Sequence, residues 1–171
     1  MNREELMAMT DEELRIKAAE LMGWEDVACR EVNNLLSEGI TFHTVCAKQD
    51  SGPNADKDAI GWLVGDGENM WDVVPDYPND IAAAWELWER IPLSDRYYGA
   101  IHIVRIPVSR GETAKWRHGI GYGMSIGELG GPSEQEWKWQ HLITEWPKEG
   151  ETSAQTTARA ITRAFILAMA E

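Results

Sequence analysis

Aromatic and cationic side chains are interleaved along residues 96–139, and these two residue types together can bind a nucleotide. An aromatic ring stacks on a base, which contributes about 1–3 kcal/mol per base, and a guanidinium forks onto a phosphate. The cationic residues of this region are Arg96, Arg105, Arg110, Lys115, Arg117 and Lys138. The region therefore predicts a binding site for a small anionic, aromatic, nucleotide-like ligand.

Six side chains are the candidate ligand contacts. They are Arg105, Trp116, Arg117, His118, Tyr122 and Trp139. Gly119, Gly121 and Gly123 alternate with larger residues in the same run, which leaves one strand face bare and open to a planar group. Trp116 and Arg117 point to opposite faces of a regular strand, so both can contact one ligand only at a bulge, a strand end or a subunit boundary. The alternative is that the glycines admit a closely packed neighbour and the other side chains are ordinary surface or core residues.

Motifs for catalysis or metal binding are missing from the sequence. It has no nucleophile elbow, phosphate-binding loop, dinucleotide fingerprint or HExxH pattern. The four histidines are His43, His102, His118 and His141. No two of them are three or four residues apart, so no metal site can be recognised. We predict no catalytic residue, metal or cofactor, although an enzyme remains an alternative if histidines or carboxylates converge in the fold.

The charge of the chain is strongly asymmetric. The 171 residues carry a net charge of −13. Residues 1–95 hold 21 Asp+Glu against 7 Lys+Arg, whereas residues 96–171 hold 8 against 9. The acidic half would repel duplex nucleic acid, which is excluded as a partner, while an anionic ligand could still approach the second half. The acidic half either solubilises the protein or mimics nucleic acid toward a protein partner.

The cellular location is predicted from three features. No run of eighteen apolar residues is present, so no membrane span is expected. The charged N-terminus does not resemble a secretory signal. Cys29 and Cys46 lack metal-ligand spacing and are expected to be buried, reduced thiols. These features predict a cytoplasmic protein.

Two helices are expected in the acidic half. Thr10 and Glu13 form a capping box that starts the first helix, and Gly23 ends it. The buried stripe of this helix is Leu14, Ala18 and Leu21. The second helix begins near Asn79 and ends before Pro92. Its expected buried stripe is Ile81, Ala84, Trp85, Trp88 and Ile91. On this interpretation Trp85→Ala would cost about 3–5 kcal/mol.

A third helix is expected near the end of the chain. It runs from Ala154 to about Ala170, with Thr152 or Ser153 as its cap. Its buried stripe is Ala158, Ile161, Phe165 and Ala168. Arg159 and Arg163 lie at i and i+4 beside that stripe.

Five strand-like runs lie between the helices. They span residues 40–46, 60–64, 97–108, 116–124 and 137–146. Three main helices around a mostly antiparallel sheet of about five strands form an α+β fold, arranged as an αβα-type layered sandwich. The length of the chain suits a single domain over residues 1–171.

Three segments resemble the phage ABA-sandwich domain family, which comprises small phage-encoded αβα proteins. They are DEEL at 11–14 followed by LMGW at 21–24, YPNDIAAAWE at 77–86, and TTARAITRAF at 156–165. They cover roughly a third of the chain, and residues 96–150 look expanded relative to compact members of the family. The resemblance implies the layered fold, a phage origin and a setting in the host cell cytoplasm. It implies no catalytic residues.

Three functions fit these observations. The first is a non-catalytic phage protein that sequesters a nucleotide-derived host immune signal, an anti-defence role. The second is an acidic inhibitor that binds a protein by mimicking nucleic acid. The third is a small nucleotide phosphodiesterase or hydrolase. The nine tryptophans exceed what one small core readily buries, which predicts a homo-oligomer, most simply a two-fold dimer.

Overall fold

The computed structural model describes residues 3–34, 40–53, 63–65, 69–91, 97–98, 127–128, 143, 145 and 147–170. Helices α1 to α4 span Arg3–Ala8, Asp11–Leu21, Ile81–Arg90 and Ser153–Met169. Strands β1 to β6 span Ala28–Asn34, Thr41–Lys48, Leu63–Gly65, Met70–Val73, Tyr97–Tyr98 and Gly127–Glu128. The protein is therefore α+β, as the sequence predicts.

Four of the strands form one antiparallel sheet in the order β1-β2-β4-β3. β1 and β2 pair over six residues, from Ala28↔Cys46 to Asn33↔Thr41. β3 pairs with β4 and also returns to β1 through Asn33↔Gly65, which closes the sheet on itself. β5 and β6 form a separate antiparallel pair.

The two faces of β2 contact different hydrophobic clusters because successive side chains of a strand point to opposite sides. Val45 and Ala47 pack into the main core with buried residues of all four helices. Cys46 points the other way, into a small cluster with Val32 and Val64. The sheet therefore joins a large helical core to a much smaller core of its own.

The predicted capping signals are confirmed at α2 and α4, whereas the cap of α3 lies one residue after the expected start at Asn79. The Thr10 hydroxyl accepts a hydrogen bond from the Glu13 N–H, and the Glu13 carboxylate accepts one from the Thr10 N–H. Asp80 caps α3, and Thr152 forms a second capping box with Gln155. Gly23 follows α2 with a φ of +92°, the left-handed conformation that glycine adopts most easily. Local sequence thus determines where these helices begin and where α2 ends.

The predicted buried stripe of α3 is wrong at Trp85. The side chain of Trp85 is 46% exposed, and the buried face consists of Ala83, Ala84 and Leu87. Trp88 is only partly buried against the core. Ala83, Ala84 and Leu87 face the core that α3 shares with α4, and the indole of Trp85 is left outside. The large cavity cost expected for Trp85→Ala loses its basis.

Three further expectations need correction. A fourth helix, α1, precedes the three predicted ones, and Leu6 anchors it in the core. β1 and β4 were not predicted, and Ile143 and Glu145 lie outside any strand although residues 137–146 were expected to form one. Cys29 is exposed, whereas Cys46 is buried, and both are free thiols. Among the described helices, none is long and apolar enough to cross a membrane.

Candidate functional site

The six predicted ligand-binding residues lie outside the described part of the chain. They are Arg105, Trp116, Arg117, His118, Tyr122 and Trp139. The structure does describe two short strands that bracket most of them. Tyr97 pairs with Glu128 and Tyr98 with Gly127. The backbone on either side of residues 99–126 therefore comes together, and five of the six residues belong to the segment that this strand pair closes.

Within the described residues, the densest group of functional side chains is a buried ion network. It consists of Glu145, Glu151, Arg159 and Arg163. Arg159 is only 1% exposed. Its Nε lies 3.2 Å from a Glu145 oxygen, and its Nη2 lies 2.8 Å from Glu151 Oε2. Arg163 Nη1 donates to the other Glu145 oxygen, so Glu145 bridges the two guanidinium groups.

Local structure explains how α4 presents this network. Arg159 and Arg163 are one helical turn apart and therefore share a side of the helix. Glu151 lies just before the cap residue Thr152, where its carboxylate accepts from the Lys148 N–H at 2.7 Å and from the Thr156 hydroxyl at 3.2 Å. The capping box thus holds the backbone that places Glu151 beside Arg159.

Arg163 connects the network to the N-terminal helix. Its Nη2 donates to the backbone carbonyls of Met7 and Met9, at 3.2 and 3.3 Å. Those carbonyls lie at the end of α1 and just after it, where no later helical N–H is available to them. The only Arg163 nitrogen left without a partner among the described residues is Nε. A single guanidinium therefore joins α1, α4 and the segment at residue 145.

The pKa shifts of Glu151 and Arg159 favour the charged form of both groups. The hydrogen bond from Arg159 lowers the pKa of Glu151 from 4.5 to about 2, although burial acts in the opposite direction. Burial opposes the charge of Arg159, but the hydrogen bond with Glu151 and the charge of Glu145 outweigh it and raise its pKa. A general acid or base works best with a pKa near the operating pH. Glu151 is far from that condition, and its hydrogen bonds to Arg159, Lys148 and Thr156 anchor separate parts of the chain.

A second cationic contact lies on the sheet. The guanidinium carbon of Arg30 lies 3.7 Å from the ring centroid of Trp71, and Arg30 Nη2 lies 2.9 Å from Asp26 Oδ1. Arg30 Nε is buried without a partner among the described residues. The planar guanidinium stacks on the indole while one edge remains near solvent. This contact shows the cation–aromatic geometry that the sequence analysis expects of the ligand site.

The two cysteines do not form a redox pair in this fold. Cys29 lies opposite Val45, and Cys46 lies opposite Ala28. Directly opposite residues of antiparallel strands point to the same face, so the two thiols point to opposite faces. Burial raises the pKa of the Cys46 thiol. This arrangement agrees with the predicted reduced state and does not suit a disulfide.

Arg15 is another cation that sequence reasoning missed. From α2 its Nε donates to the carbonyls of Val74 and Pro75, both at 3.1 Å, and its Nη1 lies 3.4 Å from the Thr44 hydroxyl oxygen. Burial lowers the pKa of Arg15, and the charge of Asp76 partly offsets that effect. The arginine ties α2 to the end of β4. Arg15 lies among other charged residues of α2, so nothing in the sequence indicates that it binds these carbonyls.

The sequence placed Arg159 and Arg163 beside the buried stripe of α4, but the ion network that they form was not predicted. Arg159 and Arg163 sit within a run of apolar and small residues. Two charged side chains are unusual in such a run unless carboxylates pair with them. Glu145 could not be chosen from the sequence because it lies 14 and 18 residues away from them. Only the fold shows which carboxylates reach the two arginines.

The described residues hold no group of three or more His, Cys, Asp or Glu side chains placed to bind a metal ion. His43 is the one predicted strand histidine that falls in the described residues, and it lies in β2. Comparisons with models of known protein families, with curated proteins and with solved structures find no match to this chain.

Proposed function

We propose that this protein is a non-catalytic binding protein that sequesters a small anionic, aromatic ligand of the nucleotide class. The proposed site is the segment 96–139, with Arg105 and Arg117 on the charged groups and Trp116, Tyr122 and Trp139 on the ring. His118 completes the set. The observation that best supports the proposal is that the described cationic residues of the second half of the chain are paired with carboxylates.

The described cations of that half are engaged with carboxylates. Lys148 lies 3.3 Å from Asp11, and the two arginines of α4 belong to the ion network. The segment 96–139 contains the other six cationic residues of that half, against four glutamates and no aspartate. This segment thus has a net charge of about +2 in a chain of −13. An anionic ligand would be attracted to it more than to the rest of the protein.

The pairing of β5 with β6 supports a compact site. It brings together the two ends of a segment that holds five of the six proposed residues. A charged group and a ring that are distant in this segment can then approach one ligand. The stacked pair of Arg30 and Trp71 is an example of such a cation–aromatic contact elsewhere in the chain.

The biological setting belongs to the same proposal and rests on the resemblance to the phage ABA-sandwich family. On that basis the protein would be phage-encoded, would act in the host cytoplasm, and would withhold a nucleotide-derived immune signal from the host. The finer architecture, a single αβα sandwich over residues 1–171, is proposed on the same basis. A homo-oligomer is proposed from the tryptophan content and is tested by light scattering against the monomer mass of 19.3 kDa.

The first experiment is a thermal-shift screen against linear and cyclic nucleotides, with and without divalent metal ions. A ligand that binds only the folded state raises the midpoint. Stabilisation with intact nucleotide recovered by chromatography supports sequestration. Turnover would contradict the proposal and favour the hydrolase, and no response to any nucleotide would contradict it and favour a protein partner.

The second experiment measures the affinity for a nucleotide found in that screen by calorimetry. Arg117→Ala should lose about 1.5–3 kcal/mol of binding, typical of a charge-assisted hydrogen bond, and should leave folding intact. Arg105→Ala and Trp116→Ala are expected to weaken binding as well. Lys17→Ala is the matched control because Lys17 forms an exposed pair with Glu20 on α2. Parental affinity in all three variants would place the site elsewhere.

A further inference from the structure

Helix α3 carries an apolar stripe at the edge of the side that faces the core, where Ile81 and Trp88 pack partly against the core and Trp85 is exposed. Ile81, Trp85 and Trp88 follow the spacing i, i+4 and i+7, so they form a stripe along one side of the helix. The rings of Trp85 and Trp88 stack with centroids 6.2 Å apart and an interplanar angle of 29°. The side chain of Trp85 is nearly half exposed, and those of Ile81 and Trp88 are partly buried. This stripe is called the tryptophan face.

Carboxylates border the tryptophan face. Glu86 and Glu89 are both exposed. At about 100° per residue, Glu89 lies about 40° and Glu86 about 100° around the helix from Trp85, whereas the cation Arg90 lies about 140° away. Among the charged residues of α3, those nearest to the exposed indole around the helix are therefore negative. The surrounding half of the chain is also acidic, with 21 Asp+Glu against 7 Lys+Arg over residues 1–95.

We propose that the tryptophan face docks a basic amphipathic helix of a partner protein. The apolar side of that helix would cover the stacked indoles, and its Lys or Arg side chains would pair with Glu86 and Glu89. Binding hot spots are enriched in tryptophan at the centre of an interface, with polar residues around it. An exposed indole bordered by acids has this composition. Complementary charge selects a basic partner and speeds its approach.

The same charges argue against a second copy of this chain on the tryptophan face. A two-fold contact places the same patch on both sides of the interface. Glu86 and Glu89 of both copies would then lie in one interface, and like charges within an interface are unfavourable. A basic helix avoids that repulsion and satisfies the carboxylates.

The test uses the full chain and two labelled synthetic amphipathic helices, one of leucine and lysine and one of leucine and glutamate. Fluorescence anisotropy gives the dissociation constants at low and moderate salt. The parent protein should bind the lysine helix, more weakly as salt rises, and should not bind the glutamate helix. Trp85→Ala should weaken binding at least tenfold. Glu86→Gln with Glu89→Gln should weaken it about threefold or more and reduce the salt dependence.

Matched controls distinguish binding at the tryptophan face from nonspecific hydrophobic binding and from general attraction to an acidic protein. Met70→Ala removes another exposed apolar side chain, on β4, and Glu20→Gln with Glu25→Gln makes the same charge change elsewhere. Both should bind the lysine helix like the parent. Parental affinity in Trp85→Ala, equal losses in the controls, or binding of neither helix would overturn the proposal. A dimer in light scattering that Trp85→Ala converts to a monomer would also overturn it, because a second copy would then cover the face.

Discussion

In the helical region two arginines are withdrawn from solvent, whereas on the closed sheet Arg30 stays partly exposed. Arg159 and Arg163 share Glu145 and have further oxygen acceptors around them. Arg30 has the carboxylate and the carbonyl of a single residue, Asp26, as oxygen partners, together with the ring of Trp71. The difference follows from the two cores. The helical core draws on all four helices, while the buried residues of the sheet cluster are Val32, Cys46 and Val64.

The contrast between the arginines of α4 and Arg30 indicates where in this protein a charge can be buried. Removing a charge from water costs several kcal/mol unless hydrogen-bonding partners surround it. Around α4, three separate segments converge and supply carboxylates and carbonyls from different directions. The four-stranded sheet and its small cluster offer few side chains that could surround a buried charge. Arg30 therefore lies against the ring of Trp71 and stays partly accessible to water. The predictions below test this difference.

The largest effect is expected for Glu145→Ala. This change leaves two buried guanidinium groups without their shared carboxylate, and removal of one partner from a buried ion pair typically costs about 3–5 kcal/mol. Urea unfolding should show a lower midpoint with an unchanged slope. Lys148→Ala removes an exposed partner of Asp11 and should cost about 0–1 kcal/mol. Equal losses in the two variants would show that Glu145 is not buried among the arginines.

The extent of the helical core is tested by Leu87→Ala against Trp85→Ala. Leu87 is fully buried, so its truncation should leave a cavity and cost about 2–5 kcal/mol. Trp85 is nearly half exposed, and its loss should cost about 0.5–1.5 kcal/mol through the ring pair with Trp88. Denaturant midpoints compare the two. A larger cost at Trp85 would restore the original sequence prediction that its indole lies in the core.

Acid should weaken the network through Glu151. The pKa of its carboxylate is about 2 in the folded protein, below its ordinary value of 4.5. A group with a depressed folded-state pKa contributes stability above its unfolded pKa and loses it as the pH falls. The contribution should therefore be complete above about pH 5 and decline from about pH 4.5 to 2. Thermal midpoints of Glu151→Gln should depend less on pH over that range than those of the exposed-site control Glu149→Gln. Identical profiles would contradict this account.

The smallest effect is expected on the sheet. Arg30→Gln removes the cation above Trp71 and should cost about 0.5–1 kcal/mol, the usual range for an exposed cation–π contact. Arg30→Lys keeps the charge but loses the planar stack, so its cost should be intermediate. Chemical denaturation with tryptophan emission measures both. A loss as large as that of Glu145→Ala would remove the contrast between the two regions.

Helix boundaries were predictable because their causes are local. The Thr10 and Thr152 caps and Gly23 all act within a few residues of the helix ends that they determine. β2 was predictable for a similar reason, since its β-branched residues favour a strand. β1 was not, because its sequence ACREVNN has one β-branched residue and becomes a strand by pairing with β2.

Which side of a helix is buried was less predictable than where the helix lies in the sequence. The stripe expected in α3 is confirmed at Ala84 and Ile91 but not at Trp85. Tertiary packing buries Ala83 and Leu87 with Ala84 where α3 meets α4. The six proposed ligand contacts remain predictions from composition and charge, with the pairing of β5 and β6 as the structural support nearest to them.

The sequence by itself determined the α+β class, three of the four helices, their caps and the acidic first half, since each depends on residues close in the chain or on composition. Only the tertiary structure decided which carboxylates neutralise Arg159 and Arg163, why α1 forms, how β3 closes the sheet and which indole stays outside. These features join residues that are far apart in the chain. Their energies come from burial and from the completion of hydrogen bonds, neither of which exists before the distant segments meet.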